Sequence, residues 1–419
     1  MKSHYIFFTL MALASVVTLG KSAILAGMLS PGDFAQYSAA FAFVSLAASA
    51  ISFGLAEGMV KKFTRLVAFG RSDELRRTLG WDVRKLAWRH LAALGILTLI
   101  ALVVYGPRMT TVASAVAVLA FATNAFAISA SLFRAYDKLF AMSAATMLRA
   151  VCALVFCATF ASLFNWEAGL WAEAASSALI GVAVLLYFRA IIRSRAKVPN
   201  LVVSDKDSFV SREADGVWLF AAMSTALIPI SFDRSWVLHS ASGIDSAKYA
   251  FLSIWLSAAY TVTSIFVQKW GPDFIRTRLA QRGGILKAAM ARSAEVAVFM
   301  AVGAAASFLL LNQVYPDIYW AKYRLSWSDA VLTVMALTLQ ISPVFDWALI
   351  ALDSERAVFA GAVVFVLVWT ALFLVVSFFQ LGFEAYMLSM GCARAAQMTV
   401  AITMVARRDR AAMTTRPAD

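Results

Sequence analysis

Eight ionisable side chains stand inside long apolar stretches of this 419-residue sequence: Lys21, Arg149, Glu173, Asp233, Arg234, Glu295, Asp346 and Arg394. A charge at the centre of a bilayer costs about 2.5–3.5 kcal/mol on insertion scales, so it persists where it meets a wet cavity or an opposite charge. Two chemistries follow from the residue types. The cations Lys21, Arg149, Arg234 and Arg394 suit a phosphate-bearing ligand, because guanidinium matches phosphate oxygens bidentately and a low dielectric strengthens the attraction. The carboxylates Glu173, Asp233, Glu295 and Asp346 suit a gate, or a coupling proton or sodium ion. A structural reading fits equally well, in which these cations and carboxylates pair between helices, and the sequence leaves both open. Catalytic and metal chemistry find no support. Cys152, Cys157 and Cys392 lie in apolar runs without ligand spacing, His4, His90 and His239 sit at the ends of apolar runs, and no P-loop occurs. No cofactor is expected.

The elements that must position these charges follow from composition. Hydrophobic residues make up 62% of the chain and charged residues 15%, with a mean hydropathy of +0.76. Soluble domains sit near 45–50% apolar, so lipid must be the solvent. The expected fold is an all-α polytopic membrane protein of about 12 transmembrane helices. The spans are 5–28, 34–56, 90–105, 109–133, 142–164, 167–188, 217–239, 246–268, 288–311, 326–350, 357–379 and 383–405. The first reads as an uncleaved span, since Lys21 and many further spans follow it. With the N-terminus cytoplasmic, cytoplasmic segments collect 28 of the 37 Lys and Arg residues and the opposite side only 4. That bias places both termini inside, supports an even number of spans, and accounts for the net charge of +13 without nucleic acid.

Between the spans, Lys61 to Arg89 interleaves cations with Phe63, Leu66, Val67, Leu75, Leu79, Trp81, Leu86 and Trp88, the pattern of a helix lying on anionic membrane lipids. The domain reading is a six-helix lobe over 1–190, a cytoplasmic linker over 191–215, a second six-helix lobe over 216–406 and a disordered tail over 407–419. The chain also repeats at an offset of 212: Asp33-Phe34-Ala35-Gln36-Tyr37 and Asp245-Ser246-Ala247-Lys248-Tyr249 share D-x-A-x-Y, each ahead of a span and a basic loop. Two repeats of six spans enter the membrane in the same sense, which is the parallel arrangement of transporters whose halves rock about a substrate path. The offset also aligns Lys21 with Asp233, an ion pair that could gate the outer side, and Pro229, four residues before Asp233, is a candidate hinge or fixed kink.

On these residues the chain resembles the Wzx-type polysaccharide flippases, in the superfamily that also holds the multidrug (MATE) exporters and the lipid II flippases. The carriers are Leu29 to Tyr37, Asp233-Arg234, Gly243 to Tyr249 and Gly271-Pro272-Asp273. The family's turn reads L-G-x-x-x-F-G-x-Y, and here Ser30 and Ala35 replace its glycines. The resemblance implies a V-shaped pair of lobes and an undecaprenyl-pyrophosphate-linked oligosaccharide moved to the periplasmic leaflet of a bacterial inner membrane. It also implies working alongside glycan polymerase or ligase machinery. Two rivals share part of the pattern. A small-molecule antiporter of the multidrug type would have this architecture but an acidic cavity. A membrane glycan polymerase or ligase would need a large external loop, and the longest here runs only from about 312 to 325.

Overall fold

The computed structural model describes residues 2–52, 59, 63, 66–67, 72–136, 138–194, 213–279 and 284–414. Among them are thirteen α-helices: α1 (Lys2–Met28), α2 (Pro31–Ser52), α3 (Ser72–Tyr105), α4 (Pro107–Ala135), α5 (Leu139–Leu163), α6 (Trp166–Ser194), α7 (Glu213–Ser240), α8 (Gly243–Leu279), α9 (Ile285–Val314), α10 (Trp327–Thr338), α11 (Ser342–Ala351), α12 (Glu355–Phe378) and α13 (Phe383–Thr414). The chain is an all-helical polytopic membrane protein. Among the described residues nine segments are helical, long and apolar enough to cross a membrane, Trp327–Ala351 counting as one. Spans seven, eight and twelve of the sequence reading are helices too, α7, α8 and α13, in addition to those nine segments. The linker expected over 191–215 lies largely outside the described residues.

Three expectations change. Span ten is two helices, broken at Leu339 to Ile341. Pro343 takes one of the first two positions of α11, where its missing N–H costs nothing, and its ring would clash with the residue 339 carbonyl of an unbroken helix. The tail expected to be disordered from 407 is helical to Thr414. Asp409 is buried, and its Oδ2 accepts the backbone N–H groups of Gly284 and Leu286, both at 3.2 Å, at the start of α9. A carboxylate there satisfies orphan donors and the helix dipole, which ties the tail down. Finally, the described part of the basic segment is no separate surface helix: residues 72–89 and the third span form one helix, α3. Leu75, Leu79 and Leu86 are buried with Phe63, Leu66, Leu132 and Phe188, whereas Trp81 and Trp88 are each 67% exposed.

The chain divides into two compact units. One comprises Met1–Leu29 with Ala40–Phe220, and the other Ser30–Ala39 with Ala221–Asp419. In the first, α6 packs against α4 and α5, α1 against α5, and α3 against α4. Small residues on α6 permit the closest of these approaches. A Cβ on Gly169 would stand 2.9 Å from Ala161 Cβ and 3.0 Å from the Cys157 carbonyl, and one on Gly181 3.3 Å from Ala125 Cβ. Without a hydrophobic drive between helices in lipid, such contacts carry the packing. Gly20 on α1 has nothing within 4 Å of the same atom. Gly169→Ala is therefore expected to destabilise by about 1–3 kcal/mol, and Gly20→Ala to stabilise by up to about 1 kcal/mol through helix propensity. Thermal unfolding in detergent micelles should show melting shifts of opposite sign.

In the second unit α8 packs against α11, α11 and α10 against α13, and α12 against α13. The connection between α9 and α10 holds a short π-helical turn, Pro316–Ala321, whose Tyr319 stacks on Phe251 at 5.6 Å, with Tyr323 stacked on the same ring at 4.6 Å. The repeated motif appears here as a repeated cap. Ser30 Oγ donates to Asp33 at 2.6 Å and accepts the Asp33 N–H at 3.1 Å. Ser242 and Asp245, 212 residues on, do the same at 2.7 and 3.3 Å. Tyr37 and Tyr249, which close the motif, are both buried.

Candidate functional site

Each unit holds its own group of buried charges. In the first, Lys21 on α1 is 1% exposed. Its Nζ lies 2.5 Å from Glu173 Oε1 on α6 and 4.2 Å above the ring of Phe41. Arg149 on α5 donates from Nη2 to Thr123 Oγ1 at 3.1 Å and from Nε to Ser177 Oγ at 3.5 Å. Its guanidinium carbon lies 5.1 Å from the Phe126 ring centroid. Glu173 and Ser177 are one turn apart on α6, so the two cations meet the same helix face through different chemistry: one through a carboxylate, the other through hydroxyls. Arg149 forms no ion pair among the described residues and stays partly exposed.

In the second unit, Arg234 on α7 is likewise held by oxygens that carry no charge. Nη1 donates to Ser38 Oγ at 3.0 Å and to the Ser38 carbonyl at 3.3 Å, and Nη2 to Ser257 Oγ at 2.6 Å and the Ser253 carbonyl at 3.4 Å. Its Nε has no partner. Asp233 is buried, accepting the Tyr249 hydroxyl at 3.0 Å and the Arg234 backbone N–H at 2.7 Å. Arg394 on α13 is 2% exposed. It lies 3.9 Å over Phe365 and donates to Gln397 Oε1 at 2.8 Å. Its charge acts on Asp346, Asp233 and the Tyr260 hydroxyl. Asp346 sits on α11 just past the break in span ten, with Oδ1 buried and unpartnered. A carboxylate oxygen without a donor, beside unwound backbone, is the arrangement in which a proton or a small cation completes the shell.

Not every charge singled out in the sequence belongs here. Glu295 pairs with Arg292 one turn earlier on α9, at 2.8 Å, and their side chains are 55% and 44% exposed. Its neighbours Val298, Phe299 and Val302 are exposed as well, and with Glu295 they line an open groove along α9. An i,i+3 pair of opposite charges neutralises itself locally and needs no internal site. The two residues proposed as a gate each have a partner within their own unit: Lys21 meets the Glu173 carboxylate, and Asp233 accepts the Tyr249 hydroxyl. Pro229 is buried inside α7, which stays helical through it.

The residues that sequence reasoning missed are the neutral ones: Ser38, Ser253 and Ser257 around Arg234, and Thr123 and Ser177 around Arg149. Tyr249 alone carried a signal, as the last residue of the repeated D-x-A-x-Y.

Among solved structures the whole fold is shared with transporters of the MOP superfamily. The lipid II flippase MurJ in an inward closed conformation matches over 98% of this chain and 90% of its own, with a TM-score of 0.62 at 12% identity. An inward-facing multidrug resistance MATE family transporter matches over 98% and 96%, with a TM-score of 0.65 at 12% identity. A MOP superfamily transporter from Pyrococcus furiosus, described as having a binding pocket of reverse polarity, matches over 98% and 96%, with a TM-score of 0.62 at 13% identity. No family model and no curated protein matches the sequence.

Proposed function

We propose that this chain is a flippase. It carries an oligosaccharide linked to undecaprenyl pyrophosphate from the cytoplasmic to the periplasmic leaflet of a bacterial inner membrane, by alternating access between two six-helix repeats. The observation that carries this reading is the state of Arg149 and Arg234. Each is held by hydroxyls or carbonyls and forms no ion pair among the described residues, with Glu173 and Asp233 acting on them only through the field; Arg149 keeps unused N–H donors, and Arg234 keeps its unpartnered Nε and four N–H groups on neutral oxygens that a ligand anion could replace. A cavity for cationic drugs would instead hold unpaired carboxylates, and of the four considered, Glu173, Glu295 and Asp233 are already engaged. Lys21 and Arg394 serve as positioning charges in this scheme, the first by its pair with Glu173 and the second by its place over Phe365 and its field at Asp346.

The test is a leaflet-access assay in liposomes, with a fluorescent polyprenyl-pyrophosphate oligosaccharide and an impermeant quencher. Protein-dependent exposure of the label to the far leaflet supports the proposal. No exposure, combined with efflux of a cationic dye driven by a proton or sodium gradient, replaces it with the antiporter reading.

Asp346 is the coupling group in this scheme, because it alone among these carboxylates has a buried oxygen awaiting a donor. Asp346→Asn fills that need with an amide of nearly the same shape. Transport in the variant is expected to become independent of an imposed ion gradient, while the melting temperature holds or rises. A gradient response equal to that of the wild type would move the coupling role elsewhere.

A further inference from the structure

Helix α3 carries a second set of cations that the transport scheme does not use. It is about 51 Å long at 1.5 Å per residue, longer than the roughly 30 Å hydrocarbon layer. Along it runs one continuous exposed face, Arg77, Trp81, Arg84, Trp88, Leu91, Gly95, Leu99 and Leu102, with successive members three or four positions apart. The first four alternate cation and indole and the last four are uncharged. The opposite face, with Leu75, Leu79 and Leu86, is spent on the core of its own unit. Arg76, Arg77, Gly80, Trp81 and Arg84 line a common groove with Asp73 at its edge, and Gly80 leaves its floor open. Lys85 is exposed beside it. None of Arg76, Arg77, Arg84 and Lys85 forms an ion pair among the described residues.

We infer that this groove binds the headgroups of anionic phospholipids in the leaflet on its side of the membrane. The occupant follows from continuity. The lower half of the stripe, from Leu91 to Leu102, is an exposed apolar face on a membrane span and meets acyl chains. Trp88 then stands at the level where indoles mark the membrane interface. Arg84 is about 6 Å higher, counting 1.5 Å per residue, which puts its guanidinium in the layer that holds lipid phosphates, and Arg77, about 16 Å higher, faces that layer from its aqueous side. Tryptophans that stay exposed between them add amphipathic surface suited to that layer. This inference is independent of the transport proposal.

The experiment is native mass spectrometry of the full chain, titrated with phosphatidylglycerol or phosphatidylcholine. The wild type is expected to retain phosphatidylglycerol preferentially, and 0.5 M salt in a parallel nanodisc pull-down should erase that preference. Arg77→Gln/Arg84→Gln should weaken phosphatidylglycerol binding by about 10- to 30-fold, on the scale of membrane-surface lysines and arginines. Arg407→Gln/Arg408→Gln, which removes the same charge from exposed positions elsewhere, should leave it unchanged. Equal loss in both pairs, or none in the first, overturns the inference. So does selective retention of a polyprenyl pyrophosphate over phosphatidylglycerol at this groove, which would make it a capture site for cargo.

Discussion

Replacing Arg234 with alanine should lower flipping of the pyrophosphate-linked substrate by at least about 100-fold while leaving the folded protein in the membrane. The size follows from the chemistry of the contact. A charge-assisted hydrogen bond contributes about 1.5–3 kcal/mol, and a guanidinium that engages a phosphate bidentately makes two. Loss of the pair therefore removes about two to four powers of ten. Stability should suffer less, because the oxygens that Arg234 leaves behind are serine hydroxyls and carbonyls of Ser38, Ser253 and Ser257. Arg234→Lys separates charge from geometry: the ammonium keeps the charge but cannot span both Ser38 and Ser257, so activity should fall to an intermediate level. Arg149→Ala should behave alike, since Thr123 and Ser177 hold it in the same manner. Initial flipping rates in liposomes, with melting temperature as the control for folding, check all three. Full transport in both alanine variants at normal expression would remove the cations from the substrate path.

Lys21→Ala should be the most destabilising of the single changes, by about 3–5 kcal/mol. It takes away the ammonium in hydrogen-bond contact with a carboxylate that is itself buried. The cost is that of desolvating an anion deprived of its cation, so it should shrink when both charges go. Lys21→Met/Glu173→Met is expected to unfold near the wild-type temperature or above it, because an apolar pair of similar volume often matches or exceeds a buried ion pair in stability. Thermal unfolding of Lys21→Met, Glu173→Met and the double variant closes a double-mutant cycle, and a coupling energy within about 0.5 kcal/mol of zero would mean that the pair does not act as a unit. If the double variant is stable and also transports, the pair is structural. If it is stable and inert, the two charges serve the transport cycle as well.

Much of the fold was legible because a bilayer imposes so few solutions. Among the described residues every apolar run of span length but the tenth is a single helix, and boundaries fall where Pro31, Pro107 and Gly243 punctuate the chain. The break in span ten was not legible as a break, since apolar residues continue on both sides of it and only Pro343 hinted at it. The tail was misread because Asp409 looks like an ordinary surface acid until α9 offers it two unpaired N–H groups. Along α3 the basic, amphipathic pattern was visible, but not which of its faces the protein itself would claim.

For the site, charge inside apolar runs did pick out the residues, and pairing was what remained hidden. Lys21 and Glu173 lie 152 positions apart, and nothing local joins them. Arg292 and Glu295 are three apart, and that spacing alone puts them within reach of each other on one helix face. The hydroxyls around Arg149 and Arg234 come from serines and threonines of kinds scattered through every span, so no pattern marks the few that matter.

The close approach of α6 to its neighbours at Gly169 and Gly181 also limits how this half of the chain can deform. Where two backbones touch with no side chain between them, sliding one along the other forces methyl groups onto carbonyl oxygens within an ångström. Helices α4, α5 and α6 should accordingly travel as a single block during any large rearrangement, and whatever yields must do so elsewhere. Amide exchange along these three should be among the slowest in the molecule and should change least between opposite extremes of a working cycle.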